Sequence, residues 1–289
     1  MSDMVRSVDV VRVRGSRRGA EQDRAATEEP LEIRLHGRPF AVVMRTPGAD
    51  RELAAGFLLA EQVIRSADDL GTIEYCTDQQ SRNAPGKGNG FSAIGARSAA
   101  GSSNVVNVTL MDHERVERAL VDRRQVTTNA SCGMCGRLTI ESLMTHLPPI
   151  DAAWTMDAAA IVALPARLRA AQAAFDETGG LHAAGLFAAD GRLIDTAEDV
   201  GRHNAVDKVI GRMLLREQLP LSAHALCVSG RTSFEIVQKA AIAGIPLVAA
   251  VSAPSSLAID LARESGVTLV GFVRDEGFNI YAHAHRIVG

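Results

Sequence analysis

From residue 180 onward, short apolar runs alternate with stretches whose apolar positions recur every three or four residues. LHAAGLFAADGRLIDTAED, residues 181–199, reads as two strands joined at Asp190-Gly191, a dipeptide suited to a tight hairpin turn. GRHNAVDKVIGRMLLREQ then places Val206, Val209, Ile210, Met213 and Leu214 on one helical face. ALCVSG predicts a strand, SFEIVQKAAIAG a helix, PLVAAVSA a strand, SSLAIDLARESG a helix and TLVGFVR a last strand. Such alternation implies right-handed crossovers and a parallel sheet covered by helices. Upstream of it, residues 156–176 read as one alanine-rich helix.

The first half is less regular. LEIRLHGRPFAVVMRT predicts a hairpin turning at His36-Gly37, and ADRELAAGFLLAEQVI a helix with an apolar stripe through Leu53, Phe57, Leu58 and Val63. GTIEYC and NVVNVTL read as strands. Between them, residues 79–103 are so rich in Gly, Ser, Ala and Asn that they predict a long flexible loop. DHERVERALVD and RLTIESLMTHL have helical spacing, and Pro148-Pro149 closes this half. The division expected is an arm over 1–28, an α+β region over 29–150 and an α/β region over 151–289. The arm carries Arg12, Arg14, Arg17 and Arg18, which suit a solvated tail better than a phosphate site.

Composition narrows the function classes. The 289 residues, 46% hydrophobic, suffice for a substantial core in one large domain or two joined ones. With 31 basic against 34 acidic residues the net charge is −3, which predicts no general affinity for nucleic acid or anionic membrane. No signal-peptide core opens the chain, and its longest apolar stretch falls short of a membrane span, so a cytoplasmic location is expected. Four cysteines in that compartment imply thiols rather than a disulfide framework.

Two of those cysteines stand in TTNASCGMCGR, residues 127–137. A zinc site needs four ligands, but Cys76 and Cys227 are isolated and no second C-x-x-C or H-x-E occurs, so no metal is expected. A thioredoxin-type dithiol would follow an apolar strand, which TTNAS is not. A nucleophilic or sulfur-carrying thiol fits better. Gly133 and Gly136 permit close approach to a bulky partner, and Arg137 with helix-entrance amides favours a thiolate or an anionic persulfide. Packing or incidental redox chemistry remains the alternative at this point.

Further candidates lie at strand ends. VSGRTSFE offers Ser229, Gly230 and a helix start as a phosphate cradle, with Arg231 as a bidentate partner; equally, Ser233 and Glu235 would simply cap that helix. EDVGRHNAVDKVIG carries His203 and Asp207 four apart, a spacing that surface charge pairs share. His182, in an apolar strand, reads as a satisfied core histidine. Arg274, Asp275, Glu276 and Gly277 follow the last strand, either as a solvent-facing turn or as a second wall of one nucleotide or cofactor crevice.

TTNASCGMCGR, TGGLHAAGLF, EDVGRHNAVDKVIG, VSGRTSFEIVQKAAIAGIPLVAAVSAPSSLAIDLA and GFVRDEGFNIY occur in that order. Together they resemble the formate dehydrogenase accessory sulfurtransferases, the FdhD family, from about residue 29 to the C-terminus. The resemblance implies a cytidine-deaminase-like α/β fold without the deaminase zinc, its C-terminal sheet bearing helices on both faces and joined to a smaller α+β N-terminal part. It implies that Cys132, assisted by Cys135, carries persulfide sulfur from a cysteine desulfurase to a molybdenum bis(guanine dinucleotide) cofactor required by formate dehydrogenase. The cofactor's guanine nucleotide arms would meet Phe272, Val273, Arg274, Asp275, Glu276 and Gly277, with Arg231 adding charge. Two such arms suit a homodimer. The alternative is a non-catalytic chaperone that binds the cofactor or the immature dehydrogenase without a reactive thiol.

Overall fold

The computed structural model describes residues 4–76, 104–123 and 149–289. The Gly/Ser-rich stretch at 79–103 and the cysteine segment, with Cys132 and Cys135, lie outside the described residues. In place of an unstructured arm, β1 (Val5–Arg14) and β2 (Arg17–Ala26) pair as an antiparallel hairpin turning at Gly15-Ser16. Alternating valine and arginine in VVRVR is a strand pattern, and the arginine charge is matched across the ribbon. Arg12 lies 3.1 Å from both Glu21 and Asp23.

β3 (Glu29–Leu35) and β4 (Arg38–Arg45) form the hairpin expected at His36-Gly37, followed by α1 (Asp50–Ala60). With β5 (Leu70–Tyr75) and β6 (Val105–Leu110) they make a four-stranded sheet ordered β4-β3-β6-β5, and α2 (His113–Arg123) follows. Leu31, Ile33 and Leu35 on β3 and Val106 and Val108 on β6 are buried in the larger core.

The second half opens with β7 (Met156–Asp157), then α3 (Ala158–Ala170) and α4 (Ala173–Thr178). One long helix was expected here. The chain breaks at Ala171-Gln172 instead, because the Glu198 carboxylate accepts from the N–H groups of Ala174 at 3.0 Å and Phe175 at 2.7 Å and starts a second helix. The elements that follow are β8 (His182–Ala188), β9 (Leu193–Asp199), α5 (Arg202–Leu215), β10 (His224–Val228), α6 (Phe234–Ile242), β11 (Leu247–Ala250), α7 (Ser256–Ser265), β12 (Thr268–Arg274), β13 (Gly277–Ala282) and β14 (Ile287–Val288).

Six of these strands form one sheet ordered β13-β12-β11-β10-β8-β9. The sheet is mixed rather than parallel. Only β10, β11 and β12 pair in parallel; β8 lies antiparallel to β10, and the short turns after β8 and after β12 make antiparallel pairs with β9 and β13. β13 was not foreseen; GFNIY lacks a continuous apolar run because it is a half-exposed edge strand. Helices cover both faces. α3 packs Ile161, Leu164 and Leu168 onto one face, against Phe187, Cys227 and Val270, and α1, α5, α6 and α7 cover the other.

The regions on either side of residue 150 share the larger core. Their closest meeting is between α1 and α5: a Cβ on Gly56 would fall 2.0 Å from the Asp207 carbonyl oxygen, and one on Gly211 would fall 1.9 Å from that of Glu52. Only glycine allows the two backbones so near. No helix among the described residues is long and apolar enough to cross a membrane.

Candidate functional site

β10, β11 and β12 end at one edge of the six-stranded sheet, and antiparallel β8 begins there while β9 ends there, with His182 opposite Asp199. Four of the motif segments therefore meet along that edge. The loop after β10 is tied to the loop after β11 by Thr232 N–H to the Ala253 carbonyl at 3.2 Å and Ser255 N–H to the Thr232 carbonyl at 3.0 Å. That loop is tied to β12 by Phe272 N–H to the Ser252 carbonyl at 3.2 Å. Arg231 and residues 272–277 thus share one frame. α5 and α6 both start at this edge, at Gly201 and Ser233, and neither of these residues caps its helix with a side chain. Ligands of open α/β sheets bind at such strand ends.

Buried charge holds the edge from below. Asp199, fully buried, accepts from the Thr46 N–H at 3.1 Å, the Gly201 N–H at 2.7 Å and the Asn204 carboxamide at 2.9 Å, and lies 2.7 Å from Lys208 Nζ. Lys208 also donates to the Thr46 carbonyl at 2.8 Å. These contacts fix the start of α5, which carries Arg202 and His203. One helical turn on, Asp207 receives Lys239 Nζ at 2.8 and 2.9 Å, and Glu235 stands 3.4 Å from the same ammonium. His203 and Asp207, spaced as a surface pair would be, instead sit between α5 and α6, with Asp207 buried and the His203 side chain largely covered.

The electrostatics follow from that burial. Desolvation works against the Lys239 charge, but Asp207 and Glu235 outweigh it, so the ammonium holds its proton more tightly than usual. His203 is pushed down to about 3, first by burial and then by Lys239 and Arg202. Its neutral ring hydrogen-bonds through Nε2 to the Ser233 hydroxyl at 3.0 Å. Ser233 is therefore taken up by His203 rather than by capping α6. Nδ1 lies 3.2 Å from Glu235 Oε2, yet that oxygen has no aligned hydrogen bond among the described residues. We read the pair as a contact of a neutral imidazole, because burial also raises the Glu235 pKa and Lys239 draws what charge the carboxylate keeps.

Three residues at the edge have buried polar atoms without a partner among the described residues: Arg202 Nε, Thr232 Oγ1 and Glu235 Oε2. Arg202, Arg231 and Arg274 form no ion pair there either. Arg202 borders Gly230, where a Cβ would come within 3.3 Å of His182 Nδ1 and 3.9 Å of the Arg202 side chain. An unpaired guanidinium beside two uncapped helix starts is a receptor for anionic oxygen.

Phe272, Arg274, Asp275, Glu276 and Gly277 line a shallow recess of about 510 Å³. Phe272 and Asp275 adopt left-handed backbone angles, φ 55° and 56°, unusual for residues other than glycine. The Arg274 guanidinium lies over the Phe272 ring at 5.5 Å. The Val273 side chain, in contrast, is fully buried in the smaller core, so only its backbone faces the turn. Cys227 sits in that core as well, and burial pushes its thiol up to about 12, which leaves it unreactive near neutral pH. His182 is not the satisfied core histidine expected: it is half-buried, makes no hydrogen bond to a described side chain, and burial lowers its pKa. Arg202 could not be singled out from the sequence, since nothing in GRHN reveals that its charge goes unmatched.

Comparison with known proteins gives a consistent result. The model of the FdhD/NarQ family matches residues 26–288. A curated relative from Streptomyces avermitilis, named sulfur carrier protein FdhD, is 48% identical over 286 residues, spanning 96% of this chain and 94% of its own. One of the same name from Mycolicibacterium paratuberculosis is 50% identical over 272 residues, 93% of each chain. A crystal structure described as that of a formate dehydrogenase accessory protein from Desulfotalea psychrophila superposes with a TM-score of 0.73 at 27% identity, covering 99% of this chain and 100% of that one.

Proposed function

This chain belongs to the FdhD/NarQ family, and on that footing we propose that it is a sulfur carrier in formate dehydrogenase maturation. It takes persulfide sulfur from a cysteine desulfurase onto Cys132 and delivers it to a molybdenum bis(guanine dinucleotide) cofactor, its substrate. Loading is a thiol exchange without net redox change: the Cys132 thiolate attacks the donor's terminal sulfur, and the desulfurase leaves as a thiolate. For delivery, the Cys135 thiolate attacks the inner sulfur of the Cys132 persulfide and expels the outer one as sulfide. Forming the Cys132–Cys135 disulfide supplies the two electrons that sulfide requires, and a thiol reductant restores the dithiol before the next turnover.

One observation carries the acceptor side of this reading: three arginines without ion-pair partners among the described residues, at strand ends where two helices start uncapped. Pyrophosphate oxygens of a nucleotide arm fit such groups, and a partner without anionic oxygen would leave them idle. Arg202, Arg231 and Arg274 hold the arms, while Phe272 and the turn at Asp275–Gly277 form the outer wall. Helices on both faces of the six-stranded sheet support a cytidine-deaminase-like arrangement. A homodimer with paired crevices and a cytoplasmic location complete the proposal.

The loading step is tested by incubating the protein with a cysteine desulfurase and cysteine and weighing it by mass spectrometry. We expect a gain of one sulfur atom that Cys132→Ala abolishes; retention of the adduct in that variant rejects the assignment. If the double variant Cys132→Ala, Cys135→Ala still activates formate dehydrogenase, the protein is a cofactor-binding chaperone instead.

A further inference from the structure

One row of side chains runs from the core between α5 and α6 out to the sheet edge. Glu235, its side chain 8% exposed, holds Oε2 3.2 Å from His203 Nδ1. His203 Nε2 in turn meets the half-buried Ser233 hydroxyl at 3.0 Å. An acid, a ring with two nitrogens and a hydroxyl thus stand in sequence, the hydroxyl outermost. Glu235 Oε2 is buried and has no hydrogen-bond partner among the described residues. An ionised oxygen left that way is costly, whereas a protonated one donates to Nδ1 after a small turn of the ring. Ser233 stands before α6 without capping it, so its oxygen serves no helix.

The surrounding charges permit a protonated Glu235. Lys239, on α6, lies 3.4 Å from Oε1, but its ammonium already meets both oxygens of Asp207 on α5, at 2.8 and 2.9 Å. Arg202 on α5 adds a second positive charge, and Glu61, directly after α1, a second negative one. The charges facing the carboxyl therefore nearly balance, and burial, the largest influence, raises its pKa. The ring feels Lys239, Arg202 and, from β8, His182. Held at about 3, it keeps no second proton near neutral pH, so it accepts one at Nδ1 only while giving one up at Nε2. Such a ring conducts a proton rather than storing it.

Delivery of sulfur needs a proton. Expulsion of the outer persulfide sulfur by the Cys135 thiolate produces sulfide dianion, which is far too basic to depart unprotonated near neutral pH. We propose that Glu235, His203 and Ser233 form a relay that protonates this sulfur as it is released at the sheet edge. The Ser233 O–H bond breaks as an S–H bond forms; Ser233 Oγ takes the Nε2 proton, Nδ1 takes the Glu235 proton, and hydrosulfide leaves beside a Glu235 carboxylate. No electrons pass through the relay, which regains its proton from solvent by the reverse path. The inference rests on the carrier reading above. Of the three residues Ser233 alone touches the sulfur, and His203 and Glu235 act through it.

The test is single-turnover activation. The full chain, loaded with persulfide and freed of donor, is mixed with immature formate dehydrogenase holding its cofactor, and the rate at which activity appears is followed across pH. Wild type gives a bell-shaped profile whose alkaline limb reports Glu235. Ser233→Ala and Glu235→Gln load sulfur as wild type does, since loading needs no acid, but transfer it about a hundredfold more slowly and without that limb. Ser233→Thr, which keeps the hydroxyl, restores both. A merely structural defect would slow transfer without erasing the limb. A normally loaded Ser233→Ala or Glu235→Gln that transfers at the wild-type rate, or keeps the limb, overturns the proposal. Infrared spectroscopy of the unloaded chain with isotope-labelled glutamate carboxyls adds a measurement free of sulfur. Near neutral pH wild type shows a protonated-carboxyl band that Glu235→Gln lacks; its absence from wild type overturns the relay alone. A wild-type chain that shows the band but never acquires sulfur rejects the carrier reading instead.

Discussion

Replacing His203 by glutamine gives a prediction whose sign depends on the buried arrangement at the sheet edge. The ring is pushed from 6.5 down to about 3 in the folded chain, with a side chain only 13% exposed. Below pH 6.5 the unfolded chain binds a proton on residue 203 that the folded chain refuses, so acid favours unfolding. The associated stability is whole above that value and is lost as the pH falls towards 3. One such proton changes stability by about 1.4 kcal/mol per pH unit, hence by about 2 kcal/mol between pH 6.5 and about pH 5. Asp207, raised by burial to about 7, and Glu235, raised likewise, act in the opposite direction over this window, because the folded chain binds their protons first. Wild type alone is therefore uninformative, and the difference between wild type and His203→Gln isolates the histidine. Urea unfolding followed by circular dichroism at several pH values should show wild type losing about 2 kcal/mol relative to the variant on acidification to about pH 5. A constant difference refutes the reasoning. So does wild type gaining on the variant in acid, since that would make His203 a charged partner of Glu235.

Gly211→Ala should destabilise by about 3 kcal/mol or more, the upper end for overpacking, because the new methyl meets the Glu52 backbone at 1.9 Å rather than a yielding side chain; thermal unfolding measures it. Lys239→Met leaves Asp207 and Glu235 without their cation and should cost about 3–5 kcal/mol near neutral pH. Acidification relieves part of that loss as the carboxyls protonate, which unfolding at two pH values checks. Arg202→Ala should leave stability within about 0.5 kcal/mol, as it breaks no ion pair among the described residues, and weaken the binding of GMP about tenfold by calorimetry.

Much of the fold was legible because the elements of the second half obey their periods. Val206, Val209, Ile210, Met213 and Leu214 face the core as their spacing implies, and the turn at Asp190-Gly191 follows from its residues. Strand ends then placed Arg231 and residues 272–277 on one edge. Most of the misses at the site share a cause: they depend on a partner distant in sequence. Lys208 and Asp207 look like surface charges until Asp199 and Lys239 are brought to them. The α1–α5 crossing needs Gly56 and Gly211 together, 155 positions apart in the chain. Gln172 ends an alanine-rich run and gives no signal that Glu198 relieves it of capping. Val273 alternates correctly for a strand, and the same alternation turns it into the core and away from the turn it was grouped with.

The central claim concerns the path of a sulfur atom, and a single-turnover transfer experiment follows it directly. The protein is loaded with radiolabelled sulfur through a desulfurase, freed of donor, and mixed with immature formate dehydrogenase holding its molybdenum cofactor. The account predicts that label leaves Cys132, appears with the cofactor, and that dehydrogenase activity rises in step, with neither change when Cys132→Ala replaces wild type. Activation that proceeds while the label stays on the carrier, or that Cys132→Ala supports equally well, would contradict it.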